Sequence, residues 1–99
     1  MLVLAVQAPI QPGKQDAATE AARKMVTETR KEAGCLHYGF SWDVTDPCLL
    51  RVIEEWESQE ALDQHMKSPH MAELSAALGP IVAGPMVIKR YVVESASLL

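Results

Sequence analysis

The chain opens on a nearly unbroken apolar run. Leu2 to Ala8 reads Leu-Val-Leu-Ala-Val-Gln-Ala, which predicts a strand buried on both faces. Pro9 and Pro12-Gly13 stop it. From about Lys14 to Ala33 the spacing becomes helical. Ala18, Ala21, Ala22, Met25, Val26 and Thr29 form one stripe, and Glu20, Arg23, Lys24, Glu28 and Lys31 form the opposite face. Gly34 is the natural residue to end this helix, since it can take positive φ. Residues 35–44 alternate strictly: Leu36, Tyr38, Phe40, Trp42 and Val44 on one face, Cys35, His37, Gly39, Ser41 and Asp43 on the other. Thr45-Asp46-Pro47 predicts a turn, and residues 49–57 the returning strand. Ser58 caps a short helix to about Lys67, with Glu60 near its positive end. Ser68-Pro69 starts another helix with the stripe Met71, Leu74, Leu78, ended by Gly79-Pro80. After a linker at 81–85, Met86 to Val93 is rich in β-branched residues and predicts the last strand.

The order β-α-β-β-α-β predicts an α+β, ferredoxin-like antiparallel sheet with helices on one face. Residues 1–99 form one domain, with a core over about 2–93 and a tail from 94 to 99. Helices on one side leave the other side of the sheet bare, with two or three apolar positions per strand. A patch of that size marks an interface, and a twofold homodimer packing sheet on sheet would bury it.

The hairpin fixes neighbours across its strands. A turn centred at residue 46 makes paired positions sum to about 92, so Tyr38 faces Glu54, Leu36 faces Trp56 and Phe40 faces Val52. Tyr38, Phe40, Trp42, Trp56 and Glu54 then share one surface, provided the register does not slip. Such a surface is either the wall of a site for a flat apolar ligand or an ordinary core with Glu54 reaching solvent. If buried without a partner, Glu54 would have a raised pKa. His65 and His70 are five residues apart, about 140° around an ideal helix, with Pro69 between them. Metal pairs on helices use spacings of three or four, so no metal site is assigned. No nucleophile elbow and no phosphate-cradling glycine loop is present.

Composition narrows the classes further. Of 99 residues, 48% are hydrophobic and 22% charged, as in ordinary globular domains. Nine Lys and Arg against thirteen Asp and Glu give a net charge of −4 without a basic stripe, which argues against nucleic acid. No apolar run approaches the ~18 residues of a membrane span. The N-terminus has no cationic lead, so a cytoplasmic location is expected. Cys35 and Cys48 fall at opposite ends of the predicted hairpin, about eight residues of strand apart at ~3.3 Å each. That is too far for a disulfide, so two reduced thiols are expected.

Several stretches together resemble a known family. Glu32-Ala-Gly-Cys-Leu-His-Tyr38, Asp46-Pro47, Glu54-Glu-Trp-Glu-Ser-Gln-Glu-Ala-Leu62 and His65-Met-Lys-Ser-Pro-His70 are similar to the antibiotic-biosynthesis monooxygenase-like family, which includes small quinol monooxygenases. The likeness runs from Val3 to about Val93. It implies a dimeric α+β barrel, a pocket between sheet and helices, and, in the oxygenases, neither metal nor organic cofactor. On that resemblance the chain is expected to oxidise a quinol or polycyclic aromatic with O2. His65 would be the general base, Tyr38 a hydrogen-bond partner of a substrate oxygen, and Glu54 the group orienting His65 or Tyr38. Trp56 would stack on the ring; Phe40, Trp42, Gln7 and His70 would complete the binding site. Haem-degrading relatives resemble an Asn-Trp-His trio, for which this chain offers Gln7, Trp56 and His65. A sugar-phosphate isomerase would want Lys89 or Arg90 in the pocket. The alternative to turnover is a module that binds a small molecule or haem without quinol oxidation.

Overall fold

The computed structural model describes residues 1–99. In chain order its elements are β1 (Leu2–Pro9), α1 (Gln15–Thr29), β2 (Cys35–Asp43), β3 (Asp46–Trp56), α2 (Gln59–Met66), α3 (Pro69–Leu78) and β4 (Val87–Val92). The strands form one antiparallel sheet in the order β2-β3-β1-β4, the ferredoxin-like topology predicted from the pattern. All three helices cover one face. No helix is long and apolar enough to cross a membrane.

β1 is not buried on both faces. Leu2, Leu4, Val6 and Ala8 lie under the helices, while Val3, Ala5 and Pro9 are half-buried and Gln7 is exposed. Pairing carries that phase across the sheet, because directly opposed residues share a face. Gln7 sits between Arg51 and Val87, Ala5 between Ile53 and Lys89, and Val3 between Glu55 and Tyr91. Those residues make up the uncovered face.

The hairpin register follows the sum of 92 from His37↔Glu55 to Trp42↔Leu50. It breaks at both ends. Cys35 pairs with Trp56 and His37 with Glu55, so Leu36 is an extra residue in a bulge and stands 54% exposed rather than opposite Trp56. At the other end the pairing jumps from Trp42↔Leu50 to Asp43↔Asp46, so the turn is Val44-Thr45 rather than Thr45-Asp46-Pro47, and Asp43 organises it while Asp46 accepts from Cys48 N at 2.9 Å. The Asp43 carboxylate accepts from Thr45 N at 2.9 Å and from the Thr45 hydroxyl, and Val44 is left fully exposed at the tip. Cys35 and Cys48 are free thiols, the first beside Trp56 and the second beside Ile10, at opposite ends of the hairpin.

α1 ends at Thr29, not Ala33. Bonds from Lys31 N to Glu28 O and from Glu32 N to Thr29 O tighten its last turn. Gly34 then takes φ +84 and passes so close to α2 that a Cβ there would lie 2.5 Å from Ala61 Cβ. The buried stripe of α1 is Ala18, Ala22, Met25 and Thr29, small enough for α1 to lie close to α3. Ser58 and Ser68 cap α2 and α3 as predicted, each accepting at 3.2 Å from the backbone N–H three residues on. The predicted linker at 81–85 is tied down, with Val82 bridging Ile10 and Ala83 N donating to Pro9 O at 2.8 Å. β4 is an edge strand, and all six of its residues are exposed.

Candidate active site

Ser68 does two jobs at the junction of α2 and α3. Its hydroxyl donates to His65 O at 2.7 Å and accepts from Met71 N, so one residue ends one helix and begins the next. This fixes His65 in the last turn of α2 and His70 in the first turn of α3. Both rings then converge on a residue outside either helix. Oε2 of Glu32 lies 2.7 Å from Nδ1 of His65 and 2.8 Å from Nε2 of His70. A carboxylate oxygen only accepts, so both ring nitrogens donate to it, and the tautomer of His65 is set with its proton on Nδ1. The other nitrogen, Nε2, is buried without any hydrogen-bond partner.

His65 is also one wall of a cavity of about 220 Å³ between the sheet, α2 and α3, lined with it by Leu4, Val6, Tyr38, Glu54, Leu62 and Met71. His65 itself is 1% exposed. Its ring centroid is 4.6 Å from that of Trp56 and 5.4 Å from that of Tyr38. Glu54 faces the helices, not the bare face, because it pairs with Leu4 on one side and Tyr38 on the other. Its Oε1 accepts from the Trp56 indole N–H at 2.9 Å. Burial raises its pKa, opposed by that bond and by His65. The Tyr38 phenol is pushed above its usual range, by burial first and then by Glu54, so it stays a hydrogen-bond donor.

The structure therefore gathers His65, Tyr38, Glu54 and Trp56 at one place. It separates the remaining expected site residues. Trp56 is fully buried behind His65 and presents no open ring face to a ligand. Phe40 and Trp42 share the helix-covered side but line a different groove of about 590 Å³ between α1 and β2, where Trp42 N–H donates to Thr19 Oγ1 at 3.1 Å. Gln7 is on the opposite side of the sheet, since it is one residue out of phase with Leu4 and Val6. The trio of Gln7, Trp56 and His65 is thus not assembled. His70 touches Glu32 rather than the cavity. Lys89 points with Ala5 to the bare face, and Arg90 donates to Gln59 Oε1 at 3.0 Å. Glu32, not Glu54, is the group that orients His65. It went unrecognised in the sequence, although it continues the buried stripe of α1: Ala18, Ala22, Met25, Thr29 and Glu32 follow helical spacing.

Fold and site define a class of small ferredoxin-like α+β proteins with a carboxylate–imidazole pair beside a mostly apolar cavity. Residues 1–77 match the family described as antibiotic biosynthesis monooxygenase, and the chain belongs to that family. A curated relative from Escherichia coli K12, named "Probable quinol monooxygenase YgiN", is 31% identical over 88 residues, covering 79% of this chain and 85% of that protein. Among solved structures, Rv0793 from Mycobacterium tuberculosis superposes with a TM-score of 0.89 at 26% identity, covering 97% of this chain and 98% of that one. PA3566 from Pseudomonas aeruginosa gives 0.86 at 28% identity, covering 95% and 94%.

Proposed function

We propose that this chain is a cofactor-independent monooxygenase for a single-ring dihydroxy-aromatic. The observation that carries the reading is His65 in the wall of a mostly apolar cavity, its Nε2 without a partner and its tautomer set by Glu32. Nε2 takes a phenolic proton, and the imidazolium formed is stabilised by the Glu32 carboxylate. The phenolate passes one electron to O2, and the two radicals join as a carbon-bound peroxide, which His65 reprotonates. The O–O bond then breaks with loss of the hydrogen on that carbon, leaving a carbonyl and one water. Tyr38, held protonated, donates to a substrate oxygen, and the apolar wall excludes water.

The cavity volume favours a small substrate. About 220 Å³ lies below the ~300–1,000 Å³ of drug-sized sites, which fits one ring better than a polycycle or a haem. The class of the YgiN relative, a quinol monooxygenase by name, supports the same choice. We further infer a homodimer through the bare face, where Ile53, Val87 and Tyr91 are each 41–54% exposed, and a cytoplasmic setting in which Cys35 and Cys48 stay reduced.

Oxygen uptake with substituted hydroquinones tests the reading, with 18O2 to follow the label into product. His65→Ala should lower kcat by about 10²–10⁴-fold, the usual contribution of a positioned base. Equal rates in wild type and His65→Ala would overturn it, as would product free of label.

A further inference from the structure

The convergence of Glu32, His65 and His70 has a second chemical meaning. One ligand atom from each lies within 4.8 Å of the others, with the carboxylate oxygen 2.7 and 2.8 Å from the two ring nitrogens. We propose that these three side chains form a binding site for a divalent transition metal of the Zn²⁺ or Co²⁺ type. Two imidazole nitrogens and one carboxylate oxygen are the donor set such ions take, with a fourth position left to water. Bonds of about 2.0–2.1 Å in a tetrahedron put ligand atoms roughly 3.3 Å apart. Glu32 has to withdraw by about half an ångström from each nitrogen, which its place past the end of α1 and its 17% exposed side chain allow, and the two ring nitrogens, now within 4.8 Å of each other, settle to the same spacing through a small turn of the His70 ring. His70, 15% exposed, keeps the entrance on the surface side, while His65 anchors the site from within. The spacing of the two histidines argued against a metal pair within one helix. The two rings instead come from the end of one helix and the start of the next, and the third donor from 33 residues earlier.

Occupancy has a consequence for His65. The metal takes the Nδ1 lone pair, so the proton now on Nδ1 leaves and the neutral ring carries its proton on Nε2. If Nε2 is the base of the proposed oxidation, the metal-loaded protein has no base; this consequence rests on that reading, whereas the site does not.

Titration of the wild-type chain with Co²⁺, followed by visible absorption, tests the site with no substrate present. One equivalent should give the intense bands of low-coordinate Co²⁺, and Zn²⁺ should displace it. Glu32→Gln and His70→Ala should each weaken binding by more than about 100-fold, while His37→Ala, on the bare face, should not. Long-range ¹⁵N–¹H spectra of the wild type need no variant to fold: Zn²⁺ should switch His65 from the Nδ1–H to the Nε2–H tautomer. Absence of Co²⁺ bands at millimolar metal, binding unchanged in His70→Ala, or a His65 tautomer unmoved by saturating Zn²⁺ would each overturn the proposal. If Co²⁺ binds and the tautomer switches yet Zn²⁺ leaves quinol oxidation untouched, the site stands and the assignment of His65 as base falls.

Discussion

Trp56 and Glu54 are both buried and are each other's partner, so their contribution can be worked out and measured. Trp56→Phe keeps an aromatic ring against His65 but removes two ring carbons and the donor Nε1. At about 0.8 kcal/mol per buried carbon and about 1.5–3 kcal/mol for a hydrogen bond to an ionisable group, the loss is roughly 3–4.5 kcal/mol. Such a loss lowers Tm by roughly 12–36 °C in a domain of this size. The pH dependence has a definite sign. Burial lifts the Glu54 pKa above its ordinary 4.5, so the native state keeps a proton that the unfolded chain releases. Stability is therefore greatest below the ordinary carboxylate range and falls as pH rises through the raised value. Without the indole N–H, which opposes burial, the pKa rises further and the deficit of Trp56→Phe grows with pH. Glu54→Gln keeps an amide oxygen for the indole but has nothing to ionise, so the slope due to this site disappears. Urea unfolding by circular dichroism at about pH 5 and pH 8, at one fixed chain concentration, reads the wild type and both variants. A deficit under about 1 kcal/mol, a deficit equal at the two pH values, or a slope that survives in Glu54→Gln would refute the reasoning.

Two further outcomes follow from local geometry. Gly34→Ala should cost markedly more than Gly13→Ala in urea midpoint. Both positions have φ near +85°, worth about 1–2 kcal/mol for a residue with a Cβ, but only the Cβ at 34 meets Ala61, at 2.5 Å, whereas 13 is open. Equal costs would show that the turn before β2 is not packed on α2. In acid unfolding, the contribution of Asp43 should be present at neutral pH and disappear at low pH. Its carboxyl is held at about 2 by the Thr45 hydroxyl and N–H and then by Arg51, so the stability it adds is complete above 3.8 and is lost as pH falls toward 2. Asp43→Asn should flatten the curve in that interval, with a deficit present at neutral pH that closes as pH falls toward 2.

The sheet and its inner face were legible because a strand has a period of two and the turns are marked by Asp, Thr and Pro. From His37 to Trp42 that arithmetic paired Tyr38 with Glu54 and so brought the phenol and carboxyl under the helices. It failed at Leu36, where the apolar alternation continues through a bulge that only the pairing with Trp56 reveals. It failed at Gln7 for the opposite reason: a run of apolar residues hid the phase of β1, and its one polar member marked the bare face. Glu32 is the most instructive case. Its partners are 33 and 38 residues away, so no local spacing points to them. Its position does carry a signal. It falls in line with the apolar stripe of α1, just past the helix end, and a carboxylate half-buried there needs donors to offset the cost of burial. The chain has three histidines, and His37 alternates to the outer face of β2. His65 and His70, held by a cap that serves two helices, are the donors left within reach of a half-buried acid. On that reasoning an acidic residue in line with an otherwise apolar helical stripe points to a site even when nothing beside it in sequence does.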